Sequence, residues 1–328
     1  MHPFAEFLRI IGRGPTLSRP LTREEAREAM RRILEGAVEP VQLGAFLLVL
    51  RTRGESAEEI AGMVDAVRET FAERPLPVVD LDWPSYADRH RMLPWFTASA
   101  LLLARAGIRV LMHGIEGEGP ATTRAGLAAL GVRAARSVEE AGERLERTGF
   151  AYLPLEVLAP SFAALFGLRP VLGVRTAVNT AARALDPARA AAQLQGVFHP
   201  PYIALHAEVQ RLLGTRRALT FKGGGGEVMR LPDKPLRAVR VAGGEMREET
   251  WPAIPYAGPR HPFREEPPEP ARIAALWRGE VELPGPEAAI VGTAALALHL
   301  VGRAESMEAA EDLARELWRE RPRGLPPA

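Results

Sequence analysis

Along residues 22–35, Ala26, Met30, Ile33 and Leu34 recur at the three-to-four spacing of one helix face, with charged residues between them. Thr22 precedes the run and Glu25 follows three residues later, the capping-box pattern of a helix start. Pro40 opens a second helix at its first turn. Val41, Phe46, Leu47, Val49 and Leu50 make this helix apolar nearly all round, so it is expected to be buried in a bundle. Ser56 and Glu59 repeat the capping box ahead of Ile60, Met63, Val64 and Val67. Residues 1–72 thus predict a small all-helical unit that packs against other helices.

The pattern changes at Pro75. Residues 77–81 read as a short apolar strand that ends in a loop, Asp82-Trp83-Pro84-Ser85-Tyr86. A helix from Pro94 to Ala106 stops at Gly107, a buried strand from Ile108 to Met112 ends at His113-Gly114, and a helix from Thr122 to Leu130 stops at Gly131. This alternation predicts an α/β sheet. Helical stretches follow over 155–166 and 173–185, then a strand over 218–221 that runs into Lys222 and the tetraglycine Gly223–Gly226. Prolines and charges over 232–270 predict irregular excursions and edge strands. Residues 287–303 and 306–320 read as helices; Ser306 can cap the second, but Ala309 stands where a full capping box needs an acid.

Composition changes this picture only by exclusion. Apolar residues are 47% and charged residues 25%, ordinary for a folded chain. The absence of cysteine removes disulfides, thiolate metal sites and a cysteine nucleophile. Glu6, Arg9 and Arg13 interrupt the start of the chain, and the longest apolar stretch, 288–302, is too short to span a bilayer, so a cytoplasmic protein without membrane contact is expected. The net charge of +1 hides an asymmetry: residues 160–240 are net +8 between flanks of −2 and −5. A basic block of this kind suits an anionic partner. Its weight is reduced because 40 of the 42 cations are arginine, a bias that runs through the whole chain.

The stretch LTREEAREAMRRILEGAVEPVQLGAFLLVLRTRGESAEEIAGMVDAVRE (21–69) resembles the amino-terminal helical domain of the anthranilate phosphoribosyltransferase (glycosyltransferase family 3) superfamily, which includes nucleoside phosphorylases. The resemblance continues through Phe96-Thr97-Ala98-Ser99-Ala100, His113-Gly114, Leu172-Gly173-Val174-Arg175-Thr176-Ala177-Val178-Asn179 and Gly196-Val197-Phe198. It implies an α/β fold class, with a small helical-bundle domain (1–74, plus a helical insertion near 155–190) joined to a larger α/β domain (75–154 and 191–328) of nucleoside phosphorylase/phosphoribosyltransferase type. It also implies a homodimer formed through the helical domain. Where the family has a Gly-Thr-Gly-Gly-Asp loop around pyrophosphate, this chain has Asp82-Trp83-Pro84-Ser85-Tyr86-Ala87-Asp88, with no glycine. The family's Lys-His-Gly-Asn-Arg becomes Met112-His113-Gly114-Ile115-Glu116, and its Mg²⁺-binding Asp-Glu pair leaves only Glu227. Arg169 matches the arginine that engages the anthranilate carboxylate. Glycine lets backbone amides approach phosphate closely and proline removes a donor, so these losses argue against ordinary phosphoribosyl transfer.

Asp82-Trp83-Pro84-Ser85-Tyr86, Leu93-Pro94-Trp95-Phe96 and Phe221-Lys222-Gly223 resemble the YbiB-type branch, sequence-independent DNA-binding proteins without transferase activity. That likeness implies a homodimer that binds the phosphate backbone of DNA or RNA, single strands preferred, without a catalytic residue, metal or cofactor. The phosphate contacts expected from it are Arg89, Arg91, Arg169, Arg216, Arg217, Lys222, Arg230 and Lys234, with Trp83, Tyr86 and Phe221 as base-stacking candidates. Trp83 and Tyr86 can equally be plugs in a vacated pocket, and Gly223–Gly226 an anion loop or a hinge. Trp95 is expected in the core, Ser99 as a helix hydroxyl, Arg175 at the domain hinge, and His113 bonded to backbone. His199 and His206, with Pro200 and Pro201 between them, make poor metal ligands. The alternative is a phosphoribosyl- or glycosyltransferase with an altered donor, binding a phosphorylated small molecule and, in that case only, Mg²⁺.

Overall fold

The structure, a computed structural model, describes residues 2–14, 16–74, 76–87, 92–117 and 119–324. Helices α1 (Ala5–Gly12), α2 (Arg23–Leu34), α3 (Pro40–Arg53) and α4 (Ala57–Glu69) form the amino-terminal part. Both expected capping boxes are present: the Thr22 and Ser56 hydroxyls accept from the amides of Glu25 and Glu59, whose carboxylates bond back to the capping residues. These are local bonds between residues three apart, which is why the sequence shows them. The expectation for α3 needs correction. Only Phe46, Leu47 and Leu50 are fully buried on it; Leu43, Leu48 and Val49 are half-buried, and Val41 is 78% exposed, so one edge of an almost wholly apolar helix faces outward.

Seven strands make one sheet in the order β3-β2-β1-β4-β5-β6-β7: β1 (Leu81–Ser85), β2 (Val110–Gly114), β3 (Phe150–Pro154), β4 (Ala192–Val197), β5 (Arg217–Lys222), β6 (Leu236–Ala242) and β7 (Glu245–Trp251). The first five in this order run parallel, and β6 and β7 add an antiparallel hairpin at one edge. Gly243 and Gly244, at φ 58° and 82°, turn that hairpin in the left-handed conformation a two-residue turn requires. On one face the Pro284–Leu300 helix is buried along nearly its whole length; among the described residues no helix is long and apolar enough to cross a membrane. Strand order reverses between β1 and β4, with β2 and β3 on one side and β5 on the other. In open parallel sheets the crevice beyond the carboxyl ends of such a pair is where ligands bind.

The segment expected as a loop, Asp82 to Ser85, is instead most of β1, the central strand. Proline is tolerated there because of register. The Leu81 amide bonds Arg109 O and the Ser85 carbonyl accepts from Ile115, both on the β2 side, so Pro84, one residue out of phase, faces β4. Pairing with β4 ends at Asp82–Gln193, so no ladder donor is missing at Pro84.

Candidate functional site at the carboxyl ends of β1 and β4

Because β1 and β4 separate after Asp82, the floor between them must be filled, and it is filled by polar side chains. His113 on β2 bonds through Nδ1 to the Tyr86 hydroxyl (2.7 Å) and through Nε2 to Asp82 (3.2 Å). Gln193 Nε2 donates to the same Asp82 oxygen (2.5 Å), Gln195 Nε2 donates to Gln193 (2.7 Å), and His206 Nδ1 bonds Gln195 (2.8 Å). All six residues are at most 2% exposed. Asp, His and Tyr in line resemble an activated nucleophile. Burial first, then Tyr152 and Asp82 nearby, push the Tyr86 hydroxyl well above its ordinary pKa, however, and no face of it reaches solvent. The network is buried and structural at its Asp82–His113–Tyr86 end, and its last member, His206, borders the pocket beyond β4. His113 therefore bonds two side chains and not backbone, which corrects the sequence expectation.

Electrostatics differ along the network. His206 is pushed down to about 3 by burial and then by the Arg183 charge, so it is the neutral imidazole. Asp186 is pushed up to about 7 by burial and then by Asp82.

The residues expected to stack on bases do not form a platform. Trp83, Tyr86 and Phe221 are all 0% exposed. Trp83 stacks on Phe96 at 6.4 Å between centroids, and Tyr86 on Phe166 at 6.0 Å. Alternation along β1 sends Trp83 into the sheet's core, and large apolar rings gain most when fully buried. Trp95 is likewise core, with its indole N–H on Glu266 (2.9 Å). The Ser99 hydroxyl donates across to Ile290 O (2.9 Å).

The expected phosphate contacts also separate. Arg230 is 0% exposed, lies 5.0 Å over the Trp251 ring and pairs with Glu311 at 2.9 Å, so its guanidinium is committed to the core. Arg216 (exposed) and Arg217 (half-buried) precede β5 or begin it, whereas exposed Lys222 ends it, which places them at opposite ends of that strand. Lys234 is exposed in the turn before β6, and Arg169 is half-buried at the start of the Arg169–Leu172 turn. Arg89 and Arg91, with Asp88, lie outside the described residues.

The glycine run is not an anion cradle. Amides of Gly223, Gly224, Gly226 and Glu227 are taken by Val197, Met229, Gly223 and Gly224 carbonyls. A Cβ at Gly223 or Gly196 would meet the Glu227 carbonyl at 1.6 or 2.0 Å, so these glycines let two backbones touch. The fold-back carries Glu227, 4% exposed, to the end of β1, where its Oε1 accepts the Ala87 amide (2.7 Å). The Ala87 amide just beyond β1 is thereby occupied, and one buried carboxylate already holding an N–H does not fit a pyrophosphate-bridging Mg²⁺ site.

Beyond β4, a pocket of about 80 Å³ remains open, lined by Arg51 from α3, by Arg175, Asn179, Thr180 and Arg183 around the Ala177–Arg183 helix, and by Tyr202 and His206 from the Tyr202–Leu212 helix. Arg175 donates to Ala87 O, Arg183 Nη1 to Asn179 O (2.9 Å), and Arg51 Nη1 to the Tyr202 hydroxyl. The sequence reading missed Arg51, Asn179 and Arg183, and also the network glutamines. Gln193 and Gln195, two apart in an otherwise apolar strand, were a legible sign of a buried polar face.

A helical bundle and a switched parallel sheet meeting at such a crevice define a two-part transferase-type fold. The glycosyl transferase family model for the helical bundle domain matches residues 5–71, and its a/b domain model matches residues 95–320. The chain belongs to this glycosyl transferase family. It is 34% identical over 321 residues to an anthranilate phosphoribosyltransferase of Thermus thermophilus, covering 92% of each chain, and 31% identical to that of Novosphingobium aromaticivorans over 89% of this chain and 90% of the relative. The crystal structure of a Thermus thermophilus anthranilate phosphoribosyltransferase superimposes with a TM-score of 0.80 at 31% identity, over 97% of this chain and 94% of that one.

Proposed function

We propose that the chain is a transferase of this family with an altered sugar-phosphate donor, acting without the glycine loop and the paired-carboxylate magnesium site. The observation that carries this reading is the state of the switch point. The whole scaffold is kept, yet the strand that would present the phosphate loop ends in buried Tyr86 and in an Ala87 amide held by Glu227. A departing phosphate must still be neutralised as the bond to the sugar breaks. Guanidinium groups at the crevice, Arg51, Arg175 and Arg183, suit that role, and Arg169, by its match to the family's arginine, suits an acceptor carboxylate. The expected location is the cytoplasm, where such metabolites occur.

The test uses the full chain with anthranilate, followed by its fluorescence and by mass spectrometry. Phosphoribosyl pyrophosphate with Mg²⁺ should give no turnover above buffer, and a panel of pentose phosphates should yield one pentosylated acceptor. Magnesium-dependent phosphoribosyl transfer would overturn the altered donor. Absence of product from every donor would overturn the transferase.

The second reading is a non-catalytic, YbiB-type homodimer on nucleic acid. It is favoured by exposed Lys234, Arg260 and Arg264 around an open groove of about 430 Å³, although Asp233 and Glu265 share that rim. Anisotropy of a labelled single strand decides it: binding that weakens steeply with salt and is indifferent to sequence supports it, and no binding at low salt removes it. Either reading includes a dimer through the helical part, supported by the outward apolar edge of α3 and by Val171, 80% exposed. Sedimentation of the wild type and of Val41→Glu tests this, with the variant expected to be monomeric.

A further inference from the structure

We infer that the pocket beyond β4 is a binding site for a tetrahedral oxyanion, inorganic phosphate or the phosphate group of a phosphomonoester. The site does not depend on the transferase reading: it binds its anion whether or not a sugar is transferred.

Size restricts the ligand first. About 80 Å³ holds a few waters or one small ion. Drug-sized ligands need roughly 300–1,000 Å³. Charge restricts it next. Arg51 from α3, and Arg175 and Arg183 from the stretch around the Ala177–Arg183 helix, reach one small cavity, and the Glu55 carboxylate behind them accepts the Thr180 hydroxyl at Oε1 (2.8 Å). Planar guanidinium forks match the oxygens of phosphate with paired, charge-assisted bonds.

Hydrogen-bond capacity is the independent observation. Asn179 lines this pocket, is 8% exposed, and its amide Nδ2 is buried with no partner. Buried donors are nearly always satisfied, and one left open beside three cations points to an acceptor supplied from outside. His206 completes the set differently. As a neutral imidazole whose Nδ1 faces Gln195, it keeps a lone pair at Nε2, able to accept the proton of a monoprotonated phosphate.

Calorimetry of the full-length protein with inorganic phosphate, against chloride at equal ionic strength, tests the inference. Saturable binding at one site per chain is expected, about tenfold weaker in Arg51→Gln and in Asn179→Ala, each of which removes one donor. Arg51 is half-buried on the α3 surface, so Arg51→Gln keeps the fold even if Arg183→Gln does not. Ribose 5-phosphate distinguishes the sources: tighter binding than inorganic phosphate with the same sensitivity to both variants assigns the site to phosphomonoesters, and equal binding assigns it to the free ion. Absence of saturable binding up to about 10 mM, or binding that neither variant weakens, overturns the site.

Discussion

The carboxyl ends of β1 and β4 lie next to each other at the switch point of one sheet, and they are finished in opposite ways. β1 ends in Tyr86, whose ring is packed on Phe166 and whose hydroxyl is held by His113, while Glu227 reaches across to hold Ala87. β4 ends in exposed Phe198 and His199 at the rim of a cavity with three arginines and an unpartnered Asn179 amide. The difference lies in where the partners of the polar groups come from. At β1 the Tyr86 hydroxyl, the Gln193 amide and the Ala87 amide find theirs in other parts of the protein, while the buried Trp83 indole N–H on the core side has none among the described residues. At β4 one buried donor lacks a partner, a state that costs about 1–3 kcal/mol in the absence of a ligand. One strand end is closed and its neighbour borders an open cavity, within one and the same sheet.

Breaking the closed side should have the largest effect. Trp83→Ala removes a fully buried indole from the core and should cost about 3–5 kcal/mol, read as a lowered urea midpoint. It should leave phosphate binding nearly unchanged if the two sides are separate.

Two buried groups of opposite linkage make the next test. The unfolded chain protonates His206 at its ordinary 6.5 and the folded chain only near 3, so His206 withdraws stability as pH falls below 6.5. Folded Asp186 keeps its proton up to about 7 against an ordinary 3.8, so it withdraws stability as pH rises through that window. The two slopes oppose, each on the order of 1 kcal/mol per pH unit. Relative to wild type, His206→Gln should gain stability as pH falls from 7 to 5, and Asp186→Asn should lose it over the same range. Denaturation midpoints across that range check both signs.

Tyr86→Phe deletes one hydroxyl from the buried network and leaves the ring in place, so about 1–2 kcal/mol should be lost. Exposure of the crevice to water would show as faster hydrogen exchange at β1. The smallest effect belongs to the open side. Arg51→Gln should change stability by no more than about 0.5 kcal/mol, because the side chain is half-buried and bonded only to the Tyr202 hydroxyl among the bonds described. A large loss there would show that the arginines serve the fold and would blur the contrast with β1.

Legibility followed the range of the interactions. Thr22 with Glu25 and Ser56 with Glu59 declared their helices because each bond closes over three residues. The apolar character of α3 was also plain, but whether its outer face is covered within the chain was not, since that depends on what packs against it. Asp82 to Ser85 looked like a loop because proline reads as a breaker; only the register that turns Pro84 toward the end of the β4 ladder makes it a strand. Arg230 looked like any other cation of the basic block, and only the fold sets it over Trp251 and beside Glu311.

From the residues alone came the family scaffold, the loss of the glycine loop and the loss of the paired carboxylates, because these are properties of residue type at a position. Tertiary structure alone decided what replaced them. The buried network draws on Asp82, Tyr86, His113, Gln193, Gln195 and His206, and Arg51 and Arg183 lie farther apart in the chain than the first and last of these. Burial, pairing and the local field at each of these groups are set by neighbours distant in the chain, so no local pattern could have placed one set in a buried network and the other around an open cavity.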